Sequence, residues 1–175
     1  KIYFIPHHHA NFKREVRPNR PVTTVGCCGG DAAVQWPHDR IKTILGEMGL
    51  KWEFCNELNN RERVLDFYKK LDVQMVYRPT HSRGLAMMVH GNPIKLSNAG
   101  SFGIPTVAFP EPSFIAEWNK EECIYCDGMG DALNLIRKLK EEPAFYEDVA
   151  EKAKLKAEDY HISNIAKFYR ELPGA

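Results

Sequence analysis

The feature that most constrains this chain is a regular alternation between short β-branched runs and longer segments with helical apolar spacing. The pattern predicts strands at residues 22–28, 51–55, 73–77, 106–109 and 123–126. Between and after them it predicts helices at residues 38–48, 60–71, 93–102, 130–140, 143–158 and 162–172. Strands and helices that alternate in this way favour a parallel sheet covered on both faces. We therefore predict an α/β fold with about five parallel strands, helices on both faces and a helical carboxy-terminal tail.

Size and charge limit the classes of function. The 175 residues suit one domain, and the formal net charge is only +1. Because no general basic field exists, we expect no nucleic acid binding, and any phosphate ligand must be held by local groups. No apolar run approaches the length that crosses a bilayer, so no membrane span is expected. Five cysteines, an odd number spread along the chain, favour reduced thiols and a cytoplasmic location.

Four segments follow predicted strands and should meet at one edge of the sheet, where open parallel sheets bind ligands. They are residues 26–31, 78–83, 92–98 and 110–113. In the first, Gly26, Gly29 and Gly30 would let the backbone approach an anion closely. The spacing is not G-x-G-x-x-G, however, and a glycine turn without any ligand is an equally good interpretation.

The strongest constellation lies in the helix predicted from Pro93. Lys95 and Asn98 are three residues apart and share one face of that helix. Both fall in its first two turns, where the helix dipole is positive and N–H groups are free. A cation and an amide there suit a diphosphate and a ribose, although a solvated lysine and a surface asparagine are the ordinary alternative.

These residues also resemble a known family. The run K-L-x-N-A-x-x-x-G-x-P-x-V at residues 95–107, followed by Pro110 and Glu111, resembles the donor-site segment of GT-B-type glycosyltransferases. Many retaining members carry E-A-x-x-x-G-x-P-V there, and one subgroup carries K-L-x-N-A-x-x-x-G-x-P. Residues 5–8, 25–26 and 67–73 are similar to weaker stretches of the same family, so the resemblance covers roughly residues 1–172.

The resemblance implies a Rossmann-like domain that binds a nucleotide-diphosphate sugar. It places Lys95 where the subgroup has its lysine, and Asn98 where most members have a glutamate that contacts the ribose. Glu111 would hold a sugar hydroxyl, or else cap the next helix. The glycine segment lacks the arginine of many members, so Arg78 and Arg83 would supply charge for the diphosphate; the alternative is that both are solvated.

The expected function is metal-independent glycosyl transfer from a nucleotide-diphosphate sugar to an unknown acceptor, without a further cofactor. Two alternatives stay open: a nucleotide- or sugar-binding module without turnover, and a GT-B-fold nucleotide-sugar epimerase. We assign residues 1–21 to the end of an amino-terminal domain and its connector, and residues 22–175 to the nucleotide-sugar-binding domain. Since the chain begins at Lys1 rather than Met, we expect most of the amino-terminal domain to lie outside it.

Histidines and cysteines offer a competing metal hypothesis. His7 and His9 would share a face if the chain is extended there, but no carboxylate or cysteine stands at fixed ligand spacing, so no metal is expected. The pair Cys123 and Cys126 resembles half of a zinc or redox site. Without a second pair at zinc-ribbon spacing, packing in and beside a strand is the better interpretation.

Overall fold

The computed structural model describes residues 2–18, 20–79 and 92–173. Within them, five strands form one sheet in the order β2-β1-β3-β4-β5, and every neighbouring pair is parallel. The prediction of a parallel α/β sheet is therefore confirmed. The strands are β1 (Thr24–Cys28), β2 (Lys51–Cys55), β3 (Val73–Val76), β4 (Thr106–Ala108) and β5 (Ile124–Tyr125).

Seven α-helices are described, and most lie within a residue or two of the predicted bounds. They are α1 (His38–Glu47), α2 (Arg61–Lys70), α3 (Ile94–Ser101), α4 (Pro112–Glu117), α5 (Met129–Glu141), α6 (Pro143–Ala157) and α7 (Ile162–Arg170). Local signals explain their ends. The Asn60 side chain accepts a hydrogen bond from the backbone N–H of Arg63 at 3.2 Å and so caps α2. Gly49 follows α1 with a φ of 67°, a left-handed conformation that favours glycine.

Two clusters of buried apolar side chains hold the sheet between its helices. The larger cluster includes Leu45 of α1 and Ile136 of α5, packed with strand residues such as Val73. The smaller one joins Tyr68 of α2 to Phe102, which ends α3. The chain passes from β1 to β2 through α1 and returns from β2 to β3 through α2. Because right-handed crossovers in opposite directions pass over opposite faces, α1 and α2 lie on opposite faces of the sheet. No helix in the described part of the chain is long and apolar enough to cross a membrane.

The amino-terminal segment contains no helix or strand over residues 2–9. The apolar run at residues 1–5, closed by Pro6, predicts the end of a strand, and that prediction is wrong for the described part. The segment is nevertheless firmly attached. His9 donates its backbone N–H to the carbonyl of Tyr160 at 3.0 Å, and Arg14 forms an ion pair with Glu158 at 2.6 Å. Further along, the buried carboxylate of Asp72 accepts hydrogen bonds from two arginine side chains and from the backbone of residues 23–24.

Candidate functional site at the carboxyl edge of the sheet

The strand order changes direction between β1 and β3, because the chain passes from β1 outward to β2 and then returns to the far side of β1. Crevices at the carboxyl ends of such neighbouring strands are where open α/β sheets bind ligands. Gly29 follows β1, and the chain from β3 leads through Tyr77 to Arg78. Helix α3 begins at this edge, with Lys95 in its first turn.

Gly29 and Lys95 lie against each other. A β-carbon built on Gly29 would stand 2.8 Å from Cε of Lys95 and 2.7 Å from Cβ of Ala33. The lysine side chain therefore occupies space that the β-carbon of any other residue at position 29 would need. Gly30 faces open space, since a β-carbon added there would have no atom within 4 Å, and its φ of −69° is open to any residue.

Gly26 has a different setting from the other two glycines. It lies inside β1, where an added β-carbon would stand 2.4 Å from the backbone oxygen of Glu53 in β2 and 2.9 Å from Leu71. Close packing of the strand against its neighbour is thus sufficient reason for a glycine there.

The ammonium group of Lys95 makes no hydrogen bond and no ion pair with any side chain that the structure describes, a set that leaves out the side chain of Asp31. The carboxylate of Glu111 is near enough to favour its charge, but that carboxylate is bonded to Arg78. Burial lowers the pKa of Lys95 below its ordinary value, and the neighbouring Arg78 guanidinium lowers it further. An anion bound beside Lys95 would relieve both effects, which makes this group the natural centre of an anion site.

A cavity of about 290 Å³ opens next to Lys95, between α2, the start of α3 and the amino-terminal segment. One side is apolar and includes Phe12, Val64 and Ile94. The side-chain nitrogen groups come from His8, Arg61, Lys95 and Asn98. No carboxylate belongs to the described residues that line it, which are His8, Ala10, Phe12, Cys28, Gly29, Leu58, Arg61, Val64, Tyr68, Ile94, Lys95 and Asn98.

Asn98 lies half-buried on the wall of this cavity. Its Oδ1 accepts a hydrogen bond of 2.7 Å from the backbone N–H of Ala10. The amino-terminal segment is therefore bound to α3 through Asn98, a side chain that the sequence analysis predicts to bind the ligand. Arg61 strengthens this attachment, since its Nε and Nη2 donate to the carbonyl of Ala10 at 3.1 and 2.8 Å.

Arg78 and Glu111 form one buried unit. The Nε of Arg78 donates to Oε1 of Glu111 at 2.7 Å, and a second bond joins Nη2 to Oε2. The side chains are 10% and 1% exposed, so the alternative of a solvated Arg78 is wrong. Glu111 does stand immediately before α4, but its side chain makes no capping bond and points to Arg78 instead. Arg83 lies outside the described residues.

The histidines and cysteines of the metal hypothesis do not form a common site, although His8 is exposed and lines the cavity. His9 is buried, its Nδ1 accepts from the backbone N–H of Asn11 at 3.2 Å, and burial lowers the pKa of the ring to about 4. His7 is exposed. Cys123 and Cys126 flank β5 as free thiols inside the core, where burial raises the pKa of Cys126 to about 12. Across the described ranges, no three histidine, cysteine or acidic side chains are grouped so as to hold a metal ion.

Comparisons with known proteins find similarity only at the level of the fold. No family model matches the chain, and its sequence matches no curated protein. An α1,3-fucosyltransferase structure superposes with a TM-score of 0.52 and 11% identity, over 86% of this chain and 45% of the other. The chain shares its fold with part of a fucosyltransferase.

Two structures of TarM are similar to the same degree. One gives a TM-score of 0.51 at 14% identity, over 92% of this chain and 37% of TarM. The other is an S. aureus TarM mutant in complex with fondaparinux, α-GlcNAc-glycerol and UDP. It gives a TM-score of 0.51 at 16% identity, over 100% of this chain and 38% of TarM. The chain spans less than half the length of each of the three structures.

Proposed function

We propose that this chain is the donor-binding domain of a GT-B-type glycosyltransferase and binds a nucleotide-diphosphate sugar at the carboxyl edge of its sheet. The observation that carries the proposal is the half-buried side chain of Lys95, which lies against Gly29 where the strand order changes and whose ammonium has no bonded partner among the described side chains. The fold it shares with a fucosyltransferase supports it. The UDP complex of TarM, which has a similar fold, makes a nucleoside diphosphate the first ligand to test.

In this proposal the diphosphate lies beside Lys95 and the backbone of residues 29–30. Transfer of the sugar leaves negative charge on the departing nucleoside diphosphate, and a positioned ammonium stabilises that charge without a metal ion. Glu111 holds Arg78 at the end of β3 by two hydrogen bonds, so the guanidinium keeps a fixed position near the same place while the carboxylate offsets its charge. His8, Ala10 and Phe12 line the cavity next to this site, and in this proposal the acceptor lies beyond them. The five free thiols favour a cytoplasmic protein.

Calorimetric titration with UDP, GDP, ADP and dTDP tests the proposal directly. At least one of them should bind, and Lys95→Ala should weaken that binding by about tenfold to a hundredfold. The estimate is the loss of one hydrogen bond to a charged group, about 1.5–3 kcal/mol. Stability should change little, because the lost ammonium has no bonded partner among the described side chains.

Lys120→Ala is the matched control. Lys120 is exposed in the turn before β5, at the opposite edge of the sheet, and its removal changes the net charge equally. If both variants bound the nucleotide as the parent does, Lys95 would be an ordinary surface lysine and the proposed site would be wrong. Turnover is tested separately, by following free nucleoside diphosphate released from a sugar donor; an epimerised donor without release would exclude transfer.

A further inference from the structure

The orientation of the Asn98 carboxamide is fixed by its partner. The backbone N–H of Ala10 can only donate, so the atom 2.7 Å from it must be the carbonyl oxygen Oδ1. The amide nitrogen Nδ2 is then turned away from Ala10, and its two hydrogens have no partner within the described residues. Because the side chain lines the cavity, those hydrogens are available to whatever fills it.

Two other side chains that line the cavity, Lys95 and Arg61, carry only donors. The hydroxyl of Tyr68 is already engaged with Gln74, and Nδ1 of His8 with the carbonyl of His9. Lys95 brings three N–H donors and no acceptor, and Arg61 brings a guanidinium. Two of the nitrogens of Arg61 are engaged with the carbonyl of Ala10, which removes a backbone acceptor from the cavity. With no carboxylate among its described lining residues, this end of the cavity offers donors to a ligand that supplies the acceptors.

We infer that Asn98 donates from Nδ2 to an oxygen of the ligand's diphosphate, and that the amino-terminal segment sets this polarity by binding Oδ1. The inference rests on the proposed function and makes it more specific. A glutamate at this position, as the family resemblance implies, would accept hydrogen bonds from ribose hydroxyls. Here the accepting atom already binds Ala10, so Asn98 recognises an anion rather than a sugar ring.

The direct test is an NMR titration of the parent protein with inorganic pyrophosphate, a ligand that has no ribose. The side-chain amide resonances of Asn98 should shift as pyrophosphate binds, and uridine should leave them unchanged. Absence of pyrophosphate binding at millimolar concentration, or binding that leaves these resonances unmoved, would overturn the inference. This readout needs no variant and therefore does not depend on the folding of one.

Substitution of Asn98 gives a second test, because contact with a diphosphate and contact with ribose hydroxyls predict opposite changes in affinity. Asn98→Asp keeps an oxygen for Ala10 but replaces the donating amide, so pyrophosphate binding should weaken by about tenfold to a hundredfold. If position 98 met ribose hydroxyls, the carboxylate would instead preserve or tighten the binding of a nucleoside diphosphate.

Asn92→Asp is the matched control for the added charge. Asn92 precedes the same helix and keeps its bond to the backbone N–H of Ile94 through Oδ1, at 2.9 Å. Asn92→Asp should weaken pyrophosphate binding less than Asn98→Asp does. Equal effects of the two variants would show that the added charge alone is responsible and would overturn the inference. If pyrophosphate binds as expected but no nucleoside diphosphate does, the donor-binding function fails and the anion site of Asn98 stands.

Discussion

Replacement of Gly29 by alanine tests whether the glycine turn exists to make room for Lys95. The added methyl carbon would lie 2.7 Å from Cβ of Ala33 and 2.8 Å from Cε of Lys95, both well inside van der Waals contact. Cβ of Ala33 belongs to a short 3₁₀ turn and moves only with its backbone, whereas the lysine chain can swing away. We therefore expect the methyl group to displace Lys95 rather than to unfold the domain.

The size of each effect follows from these contacts. Insertion of a methyl group into a packed site costs about 1–3 kcal/mol, and because rotation of the lysine leaves the contact with Ala33 in place, the cost should lie towards the upper figure. Displacement of the ammonium removes its charge-assisted hydrogen bond to the diphosphate, about 1.5–3 kcal/mol, so the Kd should rise by about tenfold to a hundredfold. Gly29→Ala should thus weaken binding and also lower the folding stability.

Calorimetry with the best-bound nucleotide measures the first effect and urea denaturation the second. Gly30→Ala is the control, since nothing lies within 4 Å of its added carbon and its φ suits alanine. It should leave both quantities nearly unchanged. If Gly29→Ala bound nucleotide as well as Gly30→Ala, the contact between Gly29 and Lys95 would have no part in ligand binding.

Three further predictions concern stability. Glu111→Ala should lower the free energy of unfolding by about 3–5 kcal/mol, because it leaves the Arg78 guanidinium buried without its carboxylate, and the double replacement Arg78→Met with Glu111→Leu should recover most of the loss in urea melts. Burial tends to raise the pKa of Asp72, but the hydrogen bonds that it accepts hold the net value below the ordinary 3.8. The contribution of the Asp72 carboxylate to the free energy of unfolding is therefore present above pH 3.8 and is lost as the pH falls through the lower pKa of the folded state. Asp72→Asn should lack this pH dependence in urea melts. The His9 ring, with its pKa lowered from 6.5 to about 4, favours the folded state fully above pH 6.5 and loses this contribution as the pH falls towards 4; His9→Asn, which can still accept from Asn11, should remove that slope in thermal melts.

The elements of this fold were predictable because each leaves a local signature. β2 was predicted to the residue from five letters, and α3 within a residue of its observed start from Pro93 and the apolar spacing behind it. The failure at residues 1–5 has a physical reason: an apolar run indicates a strand only where a neighbouring strand can pair with it, and none of the described strands does.

The site was harder to predict because its contacts join distant parts of the sequence. Arg78 and Glu111 are 33 residues apart, and only the pairing of β3 with β4 brings them together. The bond from Ala10 to Asn98 spans 88 residues, and no spacing rule reports it. Lys95 could be chosen from its position on the helix, whereas its contact with Gly29 became visible only in three dimensions.

The attachment of the amino-terminal segment has a consequence for hydrogen exchange. Segments outside helices and strands usually exchange their amides through small local openings. Here the amide of His9 donates to Tyr160 and that of Ala10 donates to Asn98, so opening this segment breaks contacts with the carboxy-terminal part of the chain and with α3 at once. These two amides should be protected well beyond the level of an open loop, and Asn98→Ala should deprotect Ala10 first. The residues that close one side of the cavity thus belong to the cooperatively folded part of the molecule, although no helix or strand contains them.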